Sequence, residues 1–183
     1  SGNKYASVYE CTGSASLTTE FSPFVRPSQY VHYDGQSQCV AKANELVTGA
    51  ETDVDVMAAV YEYVVKNITY DDDKAAAIAA GTTTTYLPSP DRTLAEGKGI
   101  CFDYAALVAA MLRSQGIPTK LITGYVSPDN IYHAWNEVWL ENSGWITVKI
   151  EAPAKNWQQV DLTFAAGGAK TFDEFVYTNR FIY

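Results

Sequence analysis

The chain has 183 residues, with a hydrophobic fraction of 47%, 13 Tyr and 4 Trp, enough to bury a core without staples and too rich in aromatics for a disordered chain. Its net charge is −8 and it has no dense Lys/Arg run, which argues against nucleic acid or an anionic membrane surface as the main partner. Pro or charged residues interrupt the longer apolar runs, so no transmembrane segment is expected.

Residues 1–50 alternate short apolar pieces with Ser, Thr, Gly and Pro, and read as an N-terminal extension packed on a domain formed by residues 51–183. In the extension, Tyr5–Tyr9 and Tyr30–Tyr33 have strand character, and Gln38–Val47 reads as a helix ended by Gly49. The three cysteines, Cys11, Cys39 and Cys101, fit a disulfide plus a free thiol, and equally fit three reduced thiols. None has zinc-ligand spacing and the histidines are His32 and His133 alone, so neither a metal nor a cofactor is expected. Ser1-Gly2-Asn3 carries no signal pattern, while the acidic balance and the Ser/Thr-rich start suit a secreted or cell-surface bacterial protein. A cytoplasmic location is compatible with the same features.

Thr52–Asn67 reads as a helix, opened by a Thr52/Asp55 capping box, with Val54, Met57, Tyr61, Val64 and Ile68 as its buried stripe. Tyr70-Asp71-Asp72-Asp73-Lys74 reads as a solvated acidic turn, Ala75–Ala80 as a helical turn and Thr82–Thr85 as a loop. Tyr86–Asp91 is an extended, proline-stiffened approach to the next element.

That element is a helix from Cys101 to Gln115, stopped by Gly116 and Pro118. It is apolar on more than one face, through Tyr104, Leu107, Val108, Met111 and Leu112, and should be buried among several elements. Cys101 falls in its first turn. Unpaired N–H groups and the positive end of the helix dipole favour an anion there, which predicts a lowered thiol pKa. Lys120–Val126, Ala134–Glu141, Trp145–Ile150 and Trp157–Phe164 read as strands, with a hairpin turn at Asn142-Ser143-Gly144. Phe172–Tyr183 is a final aromatic strand or short helix. Helices followed by an antiparallel meander predict an α+β domain with the Cys101 helix packed on the sheet.

A thiol at its reference pKa is only a few per cent thiolate at neutral pH. An adjacent histidine can take its proton and pass it to a leaving group, and a carboxylate on the far ring nitrogen fixes the tautomer. His133 opens a strand after the helix, whereas His32 sits in an ordinary Tyr-Val-His-Tyr-Asp piece and reads as a surface or packing residue. Glu137 and Glu141 share the strand of His133 and are fixed at separate points along it, so neither reaches round to the ring. Asp161, two strands later, can face His133 across the sheet.

Gly99-Ile100-Cys101-Phe102-Asp103-Tyr104-Ala105, Met111–Pro118, Thr123-Gly124-Tyr125 and His133-Ala134-Trp135-Asn136-Glu137-Val138 resemble the transglutaminase-like superfamily, over about residues 52–166. The resemblance implies a papain-type cysteine-protease core with Cys101 as nucleophile, His133 as general base and acid, and Asp161 as orienting carboxylate. Many members carry the carboxylate on the first Gly-Trp strand after the histidine. Here Lys149 holds that place, so Trp145–Lys155 reads as an inserted arm and Trp157–Thr163 as the equivalent strand. The implied activity is cysteine-dependent acyl transfer on a protein, peptide or cell-wall amide through a thioester, hydrolytic rather than cross-linking. Lys149 also raises the alternative of a catalytically inactive binding or structural module at the cell surface. The N–H of Cys101 is the expected oxyanion donor, and Tyr86 is the candidate for the second.

Overall fold

A computed structural model describes residues 12–14, 16–83, 85–126, 131–148 and 177–183. Five α-helices precede the main sheet in these residues: α1 (Gln38–Leu46), α2 (Asp53–Asn67), α3 (Asp72–Ala79), α4 (Pro90–Glu96) and α5 (Cys101–Ser114). Two short strands, β1 (Thr69–Tyr70) and β2 (Lys98–Gly99), pair in parallel just before α5. The main sheet holds β3 (Thr119–Val126), β4 (Ile131–Leu140), β5 (Gly144–Val148) and β6 (Tyr177–Ile182), in the order β5-β4-β3-β6. All its pairings are antiparallel, giving the expected α+β fold with the Cys101 helix against the sheet.

Every residue of α5 from Asp103 to Arg113 is buried. Helices α1, α2 and α4 pack on it from one side, β3 and β4 from the other, which is why its sequence is apolar all round. Val31, Cys39 and Ala43 belong to the same core. The buried stripe of α2 runs Met57, Val60, Val64 and Ile68. Val54 is not part of it: in the first turn it is exposed, because the packed face begins one turn later. The capping box is formed, with Asp55 N–H donating to Thr52 Oγ1 and Thr52 N–H to Asp55 Oδ2.

Tyr30–Tyr33 does not form a strand. Ser28 and Val31 exchange their backbone hydrogen bonds at 3.0 and 3.3 Å, so the segment closes on itself instead of joining a sheet. Tyr5–Tyr9 and Trp157–Phe164 lie outside the described residues. The end of the chain is a strand that returns to the far side of β3 and so does not extend the meander. A register shift at Thr123/Gly124 accommodates it. A Cβ on Gly124 would lie 2.1 Å from the Thr178 carbonyl oxygen and 3.0 Å from the Trp135 ring, so only glycine lets β6 approach.

Arg113 joins these parts. It is 2% exposed, and its guanidinium donates to the carbonyls of Thr119, Arg26 and Tyr183 at 2.7–2.8 Å. Burial lowers its pKa to about 10, still well above neutrality. A cation in the last turn of α5 also complements the helix dipole.

Candidate active site

The site begins where α4 ends. Gly97 takes a left-handed conformation (φ 64°) that terminates α4. Gly97 and Gly99 then accept N–H bonds from Thr69 and Asp71, at 2.9 and 3.0 Å, which tie the turn to β1. Asp103 folds back over this turn, and its Oδ2 accepts the Ile100 N–H at 2.9 Å. A Cβ on Gly99 would lie 2.5 Å from Asp103 Cβ. The Gly-x-Cys turn therefore needs glycine because the capping aspartate occupies the space a side chain would take.

Asp103 is 1% exposed, and a buried carboxylate requires partners. It also accepts from the Tyr86 hydroxyl and pairs with Lys74 Nζ at 3.3 Å. Lys74 lies 3.8 Å from Asp71, and Asp71 lies 3.4 Å from Lys98. Of the acidic run 71–73, Asp72 and Asp73 are exposed in the first turn of α3, but Asp71 is not solvated. Asp71 is 7% exposed and is the N-cap of α3, accepting the Lys74 N–H at 3.0 Å. That N–H and the Lys98 charge hold its carboxyl below the usual range. The Tyr86 proton is engaged by Asp103, so Tyr86 is not poised as an oxyanion donor. Its neighbours Ser89 to Glu96 form the cap and body of α4; Pro at the first helical position and Gly97 after the last were the signals for it.

Cys101 is the first residue of α5 and is half-buried. Burial pushes its thiol up, and the Asp103 charge adds to this, while the N–H groups of Ala134, Phe102 and Cys101 itself draw it down. The net direction is upward, opposite to the expectation from the helix start alone. Desolvation of the charged form outweighs the helix-end N–H groups here.

The Ala134 N–H brings β4 to the thiol, and Ala134 follows His133 directly. His133 is half-buried and lies opposite Gly124 in the ladder with β3. Next to it Trp135 is 2% exposed and meets the Tyr177 ring edge-on at 5.0 Å. Asn136, 2% exposed, donates to the carbonyls of Ala105 and Lys120, both at 3.0 Å, and so pins β4 and β3 to the first turns of α5. Glu137 pairs with Lys120 at 2.9 Å. Asp161 and Lys149 lie outside the described residues.

Asp103, Lys74 and Asn136 were not singled out from the sequence. Asp103 had a signal, an acid three residues after the last non-helical position. Lys74 and Asn136 had none, since their partners are 29 and 31 residues away. Cys39 is buried with a free thiol, which burial and the Asp91 carboxylate push strongly up. His32 is exposed beside Asp34 and Asp91 in a shallow surface hollow. Among the described residues no group of His, Cys, Asp and Glu could hold a metal ion, and no helix is long and apolar enough to cross a membrane.

The helix-start cysteine, the following His-Ala-Trp-Asn strand and the antiparallel sheet define a transglutaminase- or papain-type core. A sequence profile of the Transglutaminase-like superfamily matches residues 40–150, and the chain belongs to that superfamily. It is 32% identical to cytokinesis protein 3 of Schizosaccharomyces pombe over 115 residues, which are 58% of this chain and 12% of that protein. Over 62 residues it is 36% identical to a protein-glutamine gamma-glutamyltransferase of Pseudomonas aeruginosa, covering 27% of this chain and 9% of that one. The chain thus spans only a small part of these relatives. A crystal structure of a proposed cysteine protease from Cytophaga hutchinsonii is similar with a TM-score of 0.55 and 27% identity, over 72% of this chain and 42% of that one.

Proposed function

We propose that the protein is a cysteine-dependent acyl-transfer enzyme acting on amide or peptide bonds. The observation that carries this reading is the Cys101 thiol, at the start of a buried helix and against the N–H of the residue after His133. His133 takes the thiol proton as sulfur attacks the amide carbonyl. The C–N bond breaks, the amine leaves with the proton from the imidazolium, and a thioester remains on Cys101. Water then attacks the thioester, releasing the acid and restoring the thiol. Asp161 is the proposed partner of the far ring nitrogen. The N–H groups of Cys101 and Phe102, at the open end of α5, are suited to the oxyanion.

Hydrolysis of a peptide or cell-wall amide outside the cytoplasm is preferred to cross-linking because no carboxylate cluster suited to calcium is visible in the sequence. The test is mass spectrometry of the protein incubated with peptides and cell-wall fragments. An acyl adduct on Cys101 is expected, lost in Cys101→Ala and formed at least ~100-fold more slowly in His133→Ala. A folded protein that forms no adduct with any amide would overturn the enzyme reading in favour of a binding module.

A further inference from the structure

The buried carboxylate nearest the nucleophile presents a physical problem. Asp103 is two residues from Cys101, almost fully buried, and fixed there by its bond to the Ile100 N–H. It is needed to cap the helix, yet its charge opposes a second anion at the same helix end. Lys74 answers this from another element. Its ammonium enters from α3, 3.3 Å from Asp103 and 5.5 Å from the centre of the Tyr86 ring. It is held in place by Asp71, which caps α3 through the Lys74 N–H and donates its own N–H to Gly99. The first turn of α3 and the nucleophile turn are thus bound as one unit by two caps and the alternating series Lys98, Asp71, Lys74, Asp103.

We propose that Lys74 is a positioning residue for the nucleophile: its ammonium neutralises Asp103, so that one helix end can carry both the capping carboxylate and the Cys101 thiolate. This rests on Cys101 being the nucleophile of the proposed reaction. Tyr70 also faces the thiol, its phenol pushed up by burial and then by the Cys101 charge, and His133 stands on β4 next to Ala134, whose N–H draws the thiol down. Tyr86 with Arg92, and Asp71 with Lys98, stand behind Asp103. Lys74 is the cation that meets Asp103 directly.

The experiment is iodoacetamide alkylation of Cys101 against pH, followed on its own peptide by mass spectrometry. It compares wild type, Lys74→Met, Lys74→Arg, Asp103→Asn and the double variant Lys74→Met/Asp103→Asn. With Lys74→Met the midpoint rises by roughly one pH unit, a ~10-fold slower reaction at fixed pH below it. Lys74→Arg restores the wild-type profile, Asp103→Asn lowers the midpoint, and the double variant lies near wild type. A Lys74→Met protein with a wild-type melting curve and an unmoved midpoint overturns the proposal. If Lys74→Met does not fold, Asp103→Asn decides against the double variant, and coincident profiles overturn it. Failure of the function reading looks different: the midpoints move as stated, but no acyl adduct forms on Cys101.

Discussion

The two sides of the site are held by different physics. On the helical side, the turn before Cys101 is fixed by hydrogen bonds to its own backbone and by a charge series through buried Asp103, half-buried Lys74 and buried Asp71. On the sheet side, the strand of His133 is fixed by its ladder to β3, by apolar burial of Ala134, Trp135 and Val138, and by the single amide of Asn136. Polar fixation is directional and sets the geometry of a reacting atom. Apolar packing sets depth and excludes water but tolerates more adjustment. Cys101 is thus locked by its local turn, whereas His133 is placed by the sheet as a whole.

Two glycine substitutions should break the sides separately and give the largest effects. Gly99→Ala sets a Cβ 2.5 Å from Asp103 Cβ and must shift the turn. A displacement of about 1 Å at a reacting centre lowers turnover ~100-fold, while the sheet should survive, as read by circular dichroism. Gly124→Ala sets a Cβ 2.1 Å from the Thr178 carbonyl. It should instead loosen β6 and lower the unfolding free energy by roughly 1–3 kcal/mol, with Cys101 alkylation changed less than in Gly99→Ala. Equal effects of the two on alkylation would remove the distinction.

Asn136→Leu tests the joint between the sides at nearly constant volume. It removes the donors to Ala105 and Lys120, and a stability loss of roughly 1–3 kcal/mol in urea unfolding is expected. Adduct formation should fall more than this loss explains, because β4 is no longer registered on α5. The smallest effect concerns Cys39, on the helical side but remote in role. Its folded pKa is raised, so above about pH 9 the unfolded chain releases the thiol proton first and stability falls as pH rises. Cys39→Ala should flatten the alkaline decline, by at most ~1.4 kcal/mol per pH unit. An unchanged slope between pH 8 and 10 would show that other groups, such as Tyr104 whose phenol burial also pushes up, carry it.

Where signals were local, the residues were readable before any coordinates. The capping box at Thr52, the stop at Gly116 and the apolar α5 all act within a few residues. The order of the cysteine turn and the His-Ala-Trp strand is a property of the chain itself. The sign of the thiol shift was not readable. The helix start suggested a lowered value, but burial by neighbouring elements outweighs it. Val54 was misplaced for a similar reason, since periodicity gives the face of a helix and not where its packing begins.

By itself the sequence determined the Cys101 helix and its superfamily, because these rest on short-range patterns of residue type. Tertiary structure alone decided what makes that helix end workable: Asp103 inside, Lys74 from 29 residues away to neutralise it, and Tyr86 from 17 residues away to hold it. It also decided that the last strand returns beside β3 at Gly124. Charge pairing and strand exchange are non-local, and their partners are chosen only when the core brings distant segments together.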